Sequence, residues 1–356
     1  MPVIDADTHV IETERTWDFM EPADQKYRPM IVTPRGEPDK EYWMVDGKLW
    51  GVARFGGRDF KELSRLSGRD MDVPREAREM EDVTRRIRHM DDLEIDVQVL
   101  YPTIFIGQGA DRPEVDVAIC RGYNRWLANI WEQAGGRLRW ICVPPLLSMP
   151  DALDEVRWCQ DHGAVGIFMR CVEGERLIHN PYFFPMYEEA MGLDMPVALH
   201  IANNNAYTGK LYSQYSQNAT FWNLRLAMVG AFHGVIMNGI PDAFPHLRMG
   251  FVEAAAQWIP YALNDLGRRL PALGRKLPEA PLKEYRLYVT CQTDDDIPYI
   301  MRRAGEDNLL IGTDYGHNDQ SSELTALRNL RASGDITPQQ YQKLTCDNPC
   351  AFHGLN

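Results

Sequence analysis

The chain has 356 residues, 44% of them apolar, with 38 basic side chains against 51 acidic ones and a net charge of -13. That acidity argues against nucleic acid or an anionic membrane as partner, and no run reaches the roughly 18 to 20 apolar residues of a membrane span. The length suits one large barrel of alternating strands and helices.

The opening segment, Val3-Ile4-Asp5-Ala6-Asp7-Thr8-His9, reads as a strand from the start, so a secretory leader is not expected. Residues 13–80 follow as a polar, irregular stretch, read as an insertion or cap over the barrel mouth within a single domain spanning 1–356. Inside it, Asp46-Gly47 separates two strand-like runs and predicts a two-residue hairpin. A charged helix over 82–93 precedes the strand Val97-Gln98-Val99-Leu100-Tyr101, which stops at Pro102. A helix over 118–133 leads to a strand over 138–143, and a helix over 151–162 to a strand over 164–170. Further strands end at His200 and Glu253, a weaker one covers 287–290, and the last runs into Asp314, with helices behind it. Strands alternating with amphipathic helices predict a parallel sheet, here an α/β fold of the (β/α)8 TIM-barrel type. The seven cysteines have no paired spacing, and Cys346 and Cys350 lack a second pair for a zinc ribbon, so reduced thiols in a cytoplasmic protein are expected.

Four apolar runs each finish on a residue that binds metals: Asp7 with His9, then His200, Glu253 and Asp314. Burying carboxylates and imidazoles without partners is costly, so a shared destination is expected at the carboxyl ends of the strands. Asp7 and His9 are two apart and leave a strand on the same side. His200 and Asp314 complete a mixed nitrogen and oxygen set suited to a divalent zinc, manganese or iron ion, with room for water or substrate.

The sequence resembles the amidohydrolase superfamily, in the branch holding aminocarboxymuconate-semialdehyde decarboxylase and the resorcylate and carboxyvanillate decarboxylases. The likeness rests on Asp5-Ala6-Asp7-Thr8-His9-Val10-Ile11-Glu12, Leu100-Tyr101-Pro102-Thr103, Gly166-Ile167-Phe168-Met169-Arg170, Phe244-Pro245-His246-Leu247, Glu253 and Ile311-Gly312-Thr313-Asp314-Tyr315. It implies Asp7, His9, His200 and Asp314 as metal ligands. Two departures stand out. Where decarboxylases of this branch usually carry a histidine, this chain has Glu253, which cannot become a cation as imidazole does. Glu12 and His317 supply further donors, so with Glu253 they form a candidate set for a second ion.

The leading expectation is a metal-dependent hydrolase or decarboxylase holding one ion and acting on a small organic acid, lactone or amide. Glu253 and Asp314 carry the proton chemistry, and Arg170, Asn203, Asn204 and His179 orient the substrate. The rivals are a dinuclear iron or manganese oxygenase and a non-catalytic barrel subunit paired with a homologue. A homodimer or larger homo-oligomer is expected. For Glu253 and Arg170 a structural ion pair is the plainer alternative, and His233 is expected in a core or interface. Trp17, Trp43 and Trp50 are expected along the pocket or a subunit interface.

Overall fold

A computed structural model describes residues 1–55, 58–202, 205, 209–210 and 221–355 of the chain. Eight parallel strands form the central sheet: β1 (Ile4–His9), β5 (Val97–Tyr101), β6 (Leu138–Cys142), β7 (Ala164–Arg170), β10 (Val197–His200), β11 (Met249–Val252), β12 (Leu287–Cys291) and β13 (Leu309–Ile311). They neighbour one another in that order, each strand parallel to the next. The seam between β13 and β1 is closed by Asp314 N donating to the Asp7 carbonyl at 2.9 Å and His9 N donating to the Tyr315 carbonyl at 2.6 Å. This is the (β/α)8 barrel that the alternation of strands and helices predicts.

The strands are apolar on both faces because helices cover the outside and side chains fill the inside. β5 reads Val-Gln-Val-Leu-Tyr and β12 Leu-Tyr-Val-Thr-Cys, all or nearly all buried. Long helices such as Pro113–Gln133 and Met149–Asp161 each take proline in the first turn, where a missing N–H costs nothing. Helix Leu226–Met237 begins with a π-helical turn, Phe221–Arg225, over the barrel mouth.

After β1 come two 3-10 turns and a three-stranded antiparallel sheet of β2 (Met30–Val32), β3 (Lys40–Val45) and β4 (Lys48–Phe55). Asp46 and Gly47 both have positive φ, 52° and 77°, as a two-residue hairpin of the predicted kind requires. Trp17, Trp43 and Trp50 were expected to line a pocket or an interface. Instead all three are buried against one another and Phe105, with ring centroids 4.8 to 5.9 Å apart along Trp43–Trp17–Trp50–Phe105. They pack the sheet of β3 and β4 and the turn at Trp17 against Phe105, which follows β5. A short ribbon, β8 (Val172–Glu173) and β9 (Arg176–Leu177), follows β7. Among the described residues, no helix is long and apolar enough to cross a membrane.

Candidate metal centre

β1 carries one residue more than its partner between Asp5 and Thr8, since Asp5 pairs with Gln98 but Thr8 pairs with Leu100. Bulges of this kind re-aim side chains beside active sites. On the far side of the seam, Gly312 and Gly316 let the chain run against β1. A Cβ on Gly312 would lie 2.3 Å from Asp7 Cβ, and one on Gly316 would lie 3.0 Å from the His9 carbonyl oxygen. Glu253 and Asp314 both sit in the left-handed region, at φ 67° and 53°. For residues with a Cβ that costs roughly 1 to 2 kcal/mol each, a strain characteristic of functional sites. The sharp turns bring both carboxylates back over the strand ends.

Asp7, His9, His200, Glu253, Asp314 and His317 meet there. His9 Nε2 lies 3.4 Å from Asp314 Oδ1, 3.7 Å from Asp7 Oδ1 and 3.9 Å from Glu253 Oε2. His200 Nε2 lies 3.3 Å from Glu253 Oε2 and 3.6 Å from Asp7 Oδ1. Each imidazole is fixed through its other nitrogen: His9 Nδ1 donates to the Pro102 carbonyl at 2.9 Å and His200 Nδ1 to the Ile201 carbonyl at 2.8 Å. With Nδ1 holding the hydrogen, each Nε2 presents a bare lone pair to the centre, the arrangement seen in metal-binding histidines.

Asp7 Oδ1, His9 Nε2, His200 Nε2 and Glu253 Oε2 are buried and have no hydrogen-bond partner, and Asp314 Oδ1 beside them meets His317 Nδ1. Unpaired buried polar atoms are rare, and here they converge rather than scatter. Donor atoms of Asp7, His9 and His200 lie within 4.8 Å of one another, as do those of His9, Glu253, Asp314 and His317. The electrostatics carry the same message. Burial pushes the Glu253 carboxyl well above its usual range, and the charges of Asp314, Asp319 and Asp7 push it further. Burial also raises Asp314 to about 6 against the pull of His317. Burial lowers His9 well below the normal imidazole value, helped by His317 and His200. So dense a set of buried acids and lone pairs fits a divalent cation, which would compensate all of them together.

His317 stacks on His9, with centroids 3.7 Å apart. Thr103 Oγ1 donates to the Val10 carbonyl at 2.7 Å, so at 3.0 Å it accepts from His317 Nε2. His317 Nδ1 therefore faces Asp314 Oδ1, 2.9 Å away. Burial opposes its protonation, but Asp314, Asp319 and Asp7 outweigh that and raise it to about 9.

The remaining expected residues lie elsewhere. Glu12 is buried beside the cluster, but its two oxygens accept from Thr103 N and Ile104 N at 3.1 Å each. Arg170 was expected to clamp substrate. Its guanidinium is instead held by Glu173, three residues along, at 3.0 Å through Nε, and by the Phe105 carbonyl at 2.9 Å. His179 packs against Gly234 of the helix Leu226–Met237, and His233 pairs with Asp265 at 3.0 Å. Asn203 and Asn204 lie outside the described residues.

Sequence reasoning missed three supports of the centre. Ser322 Oγ donates to Asp314 Oδ2 at 2.6 Å, which leaves Oδ1 turned to the centre, where it meets His317 Nδ1. Arg86, fully buried, donates to the His9 carbonyl at 3.1 Å and to Gln98 Oε1 at 2.7 Å, and its guanidinium lies 3.6 Å from the Tyr315 ring centroid. Gln98 in turn holds Asp5, which also accepts from Thr313 N and Oγ1. Arg225 spans the loops over β11 to β13. Nothing in their local spacing marks these residues.

Fold and site together define a parallel barrel with a candidate metal centre at its carboxyl mouth. The chain belongs to the amidohydrolase family, whose model matches residues 4–355. No curated protein sequence matches it. Among solved structures it is similar to an amidohydrolase from Mycobacterium avium subsp. paratuberculosis K-10, at 16% identity over 100% of this chain and 98% of that one, with a TM-score of 0.80. It is also similar to 5-carboxyvanillate decarboxylase from Sphingomonas paucimobilis, at 15% identity over 100% and 99% of the two chains and a TM-score of 0.69. A dihydroxybenzoic acid decarboxylase from Polaromonas sp. JS666, with bound manganese and the inhibitor 2-nitroresorcinol, matches at 17% identity over 100% and 97% and a TM-score of 0.66. The expected resemblance to the decarboxylase-containing branch is thereby met at the level of family and fold.

Proposed function

We propose that this protein is a metal-dependent enzyme that holds one divalent ion on Asp7, His9, His200 and Asp314 and hydrolyses a small organic acid, lactone or amide. The observation that carries this reading is the convergence of unpartnered buried donor atoms at the strand ends. When bound, such an ion polarises a carbonyl oxygen and acidifies water by several pKa units. Two imidazoles and two carboxylates suit zinc, manganese or iron.

The chain's own groups do the rest. Glu253 Oε2 faces the centre without a partner, and its raised proton affinity suits it to take a proton from attacking water and return it to the leaving group. Asp314 offers Oδ1 because Ser322 holds Oδ2. His317 keeps a proton at Nδ1 against Asp314 and balances one of the buried charges. The two carboxyl oxygens of Glu12 are occupied by backbone N–H groups, which supports one ion over two. Decarboxylation is the second reading, favoured by the number of decarboxylases of similar fold.

The test is elemental analysis of protein purified without added metal, alongside the Glu253→Gln variant. One transition-metal ion per chain, kept in the variant while turnover is lost, supports the assignment. Protein without stoichiometric metal and indifferent to chelators would refute it. Two ions per chain, one of them lost in the variant, would move Glu253 into the ligand set and favour a dinuclear oxygenase.

A further inference from the structure

The mouth of the barrel holds a cation that the proposed reaction has not used. Arg225 ends the π-helical turn Phe221–Arg225, and π-turns inside helices are frequent at functional sites. Its guanidinium reaches across three strand ends. Nη1 donates to the Glu253 carbonyl at 3.3 Å and to Gln292 Oε1 at 3.5 Å, and Nη2 donates to Ser321 Oγ at 2.9 Å. All three acceptors are neutral. Among the described residues no carboxylate lies within ion-pair distance of Arg225, although Glu253 is itself one of the residues it holds.

That arrangement needs a reason. A half-buried guanidinium beside a ring of acids would ordinarily pair with one of them, as Arg170 pairs with Glu173 and Arg125 with Glu155. Here the acids point into the centre, and Arg225 is tied by backbone and side-chain oxygens at a fixed stand-off. Nε and one Nη2 hydrogen have no acceptor among the described residues. A guanidinium has five N–H groups in a rigid fork that matches a carboxylate. The acids Asp7, Glu253 and Asp314 are turned to the centre, which leaves Arg225 as a cation without an acidic partner beside it among the described residues.

We propose that Arg225 is the substrate-recognition residue of this site and binds a carboxylate that lies beside the metal centre. This rests on the reading of the cluster as a metal centre. It assigns the selective role to a residue that approaches from the helix after β10, not to Arg170. The substrate class is then a small molecule with a carboxylate one reach away from the bond that is attacked. Gln292 and Ser321 hold the guanidinium through its two Nη atoms, so a lysine in its place keeps the charge but loses the fork.

The test is calorimetric titration of benzoate, with uncharged benzamide as control, into wild-type protein and into the Arg225→Gln and Arg225→Lys variants. Metal content and melting temperature are read on the same samples. Expected is a fall of about 10- to 100-fold in benzoate affinity for Arg225→Gln, the loss of a charge-assisted contact. Benzamide binding, metal content and melting temperature stay unchanged, and Arg225→Lys recovers part of the benzoate affinity. Benzoate binding that is absent from the wild type, or equal in wild type and Arg225→Gln, overturns the assignment. So does a joint loss of benzoate, benzamide and thermal stability that lysine does not restore, since that marks a structural role. If benzoate binding depends on Arg225 in protein that takes up no metal, the carboxylate subsite stands and the metal reading falls.

Discussion

Gly312 offers the sharpest test of how the centre is assembled. A methyl group there would lie 2.3 Å from Asp7 Cβ, 2.8 Å from Asp7 N and 2.9 Å from Asp7 Cα. Carbon atoms in comfortable contact are about 3.5 to 4.0 Å apart, so Gly312→Ala must separate β13 from β1 by roughly 1.2 Å or more. No side-chain rotation relieves the clash, because the atoms met are the backbone and first carbon of a barrel strand. Overpacking of this kind costs about 1 to 3 kcal/mol, and the upper end is expected here. The shift also pulls Asp314 from Asp7, and binding constellations tolerate only about 0.5 Å of displacement. Metal affinity is expected to fall about 10- to 100-fold. Urea unfolding gives the first quantity and competitive chelator titration the second. Gly267→Ala is the matched control: it lies in the helix Ile259–Arg269 with no atom within 4 Å of the added carbon, and it should gain up to about 1 kcal/mol. If Gly312→Ala matches the wild type in both stability and metal affinity, close strand approach is not what builds the site.

Other expectations follow from the same geometry. Arg86→Met removes the buried donor to the His9 carbonyl and Gln98, and should cost about 3 kcal/mol or more in urea unfolding; a loss below about 1 kcal/mol would contradict that role. Trp17→Ala hollows the core of the cap and should cost about 3 to 5 kcal/mol, read as a lower melting temperature. His353 is buried and its imidazole is lowered by that burial from 6.5 to about 4. The unfolded chain therefore takes up the proton first as pH falls, so stability is full above pH 6.5 and is lost progressively towards pH 4. The loss amounts to about 3 kcal/mol at most. His353→Leu should flatten that limb of the stability profile, and parallel slopes for the two proteins would rule the assignment out.

Much of this architecture is written locally in the chain. Strands announce themselves as short apolar runs, and a run ending in Asp, Glu or His at a barrel mouth has few reasons to do so. That logic places Asp7, His9, His200, Glu253 and Asp314 correctly on strand ends, and Asp46-Gly47 marks its hairpin because only a few residues accept positive φ twice in succession. What local reading misses is set by approach in three dimensions. Arg170 resembles a free clamp until Glu173 is seen folding back onto it across the turn into β8. The tryptophans of the cap could face solvent, substrate or one another, and their spacing is the same in each case. Arg86 and Arg225 sit on helical segments far in sequence from the residues they steady. Their roles come from the curvature of the closed sheet, which no window of sequence contains.

The seam between β13 and β1 is also the place where Asp7 and Asp314 face one another. During synthesis Asp314 arrives after Asp7, His9 and His200, so the proposed set of four donors lacks its last member until the end of the barrel is made. On the proposed reading, completion of the donor set coincides with closure of the seam, where Asp314 N meets the Asp7 carbonyl. A fragment that stops short of β13 should neither sequester metal nor show cooperative melting.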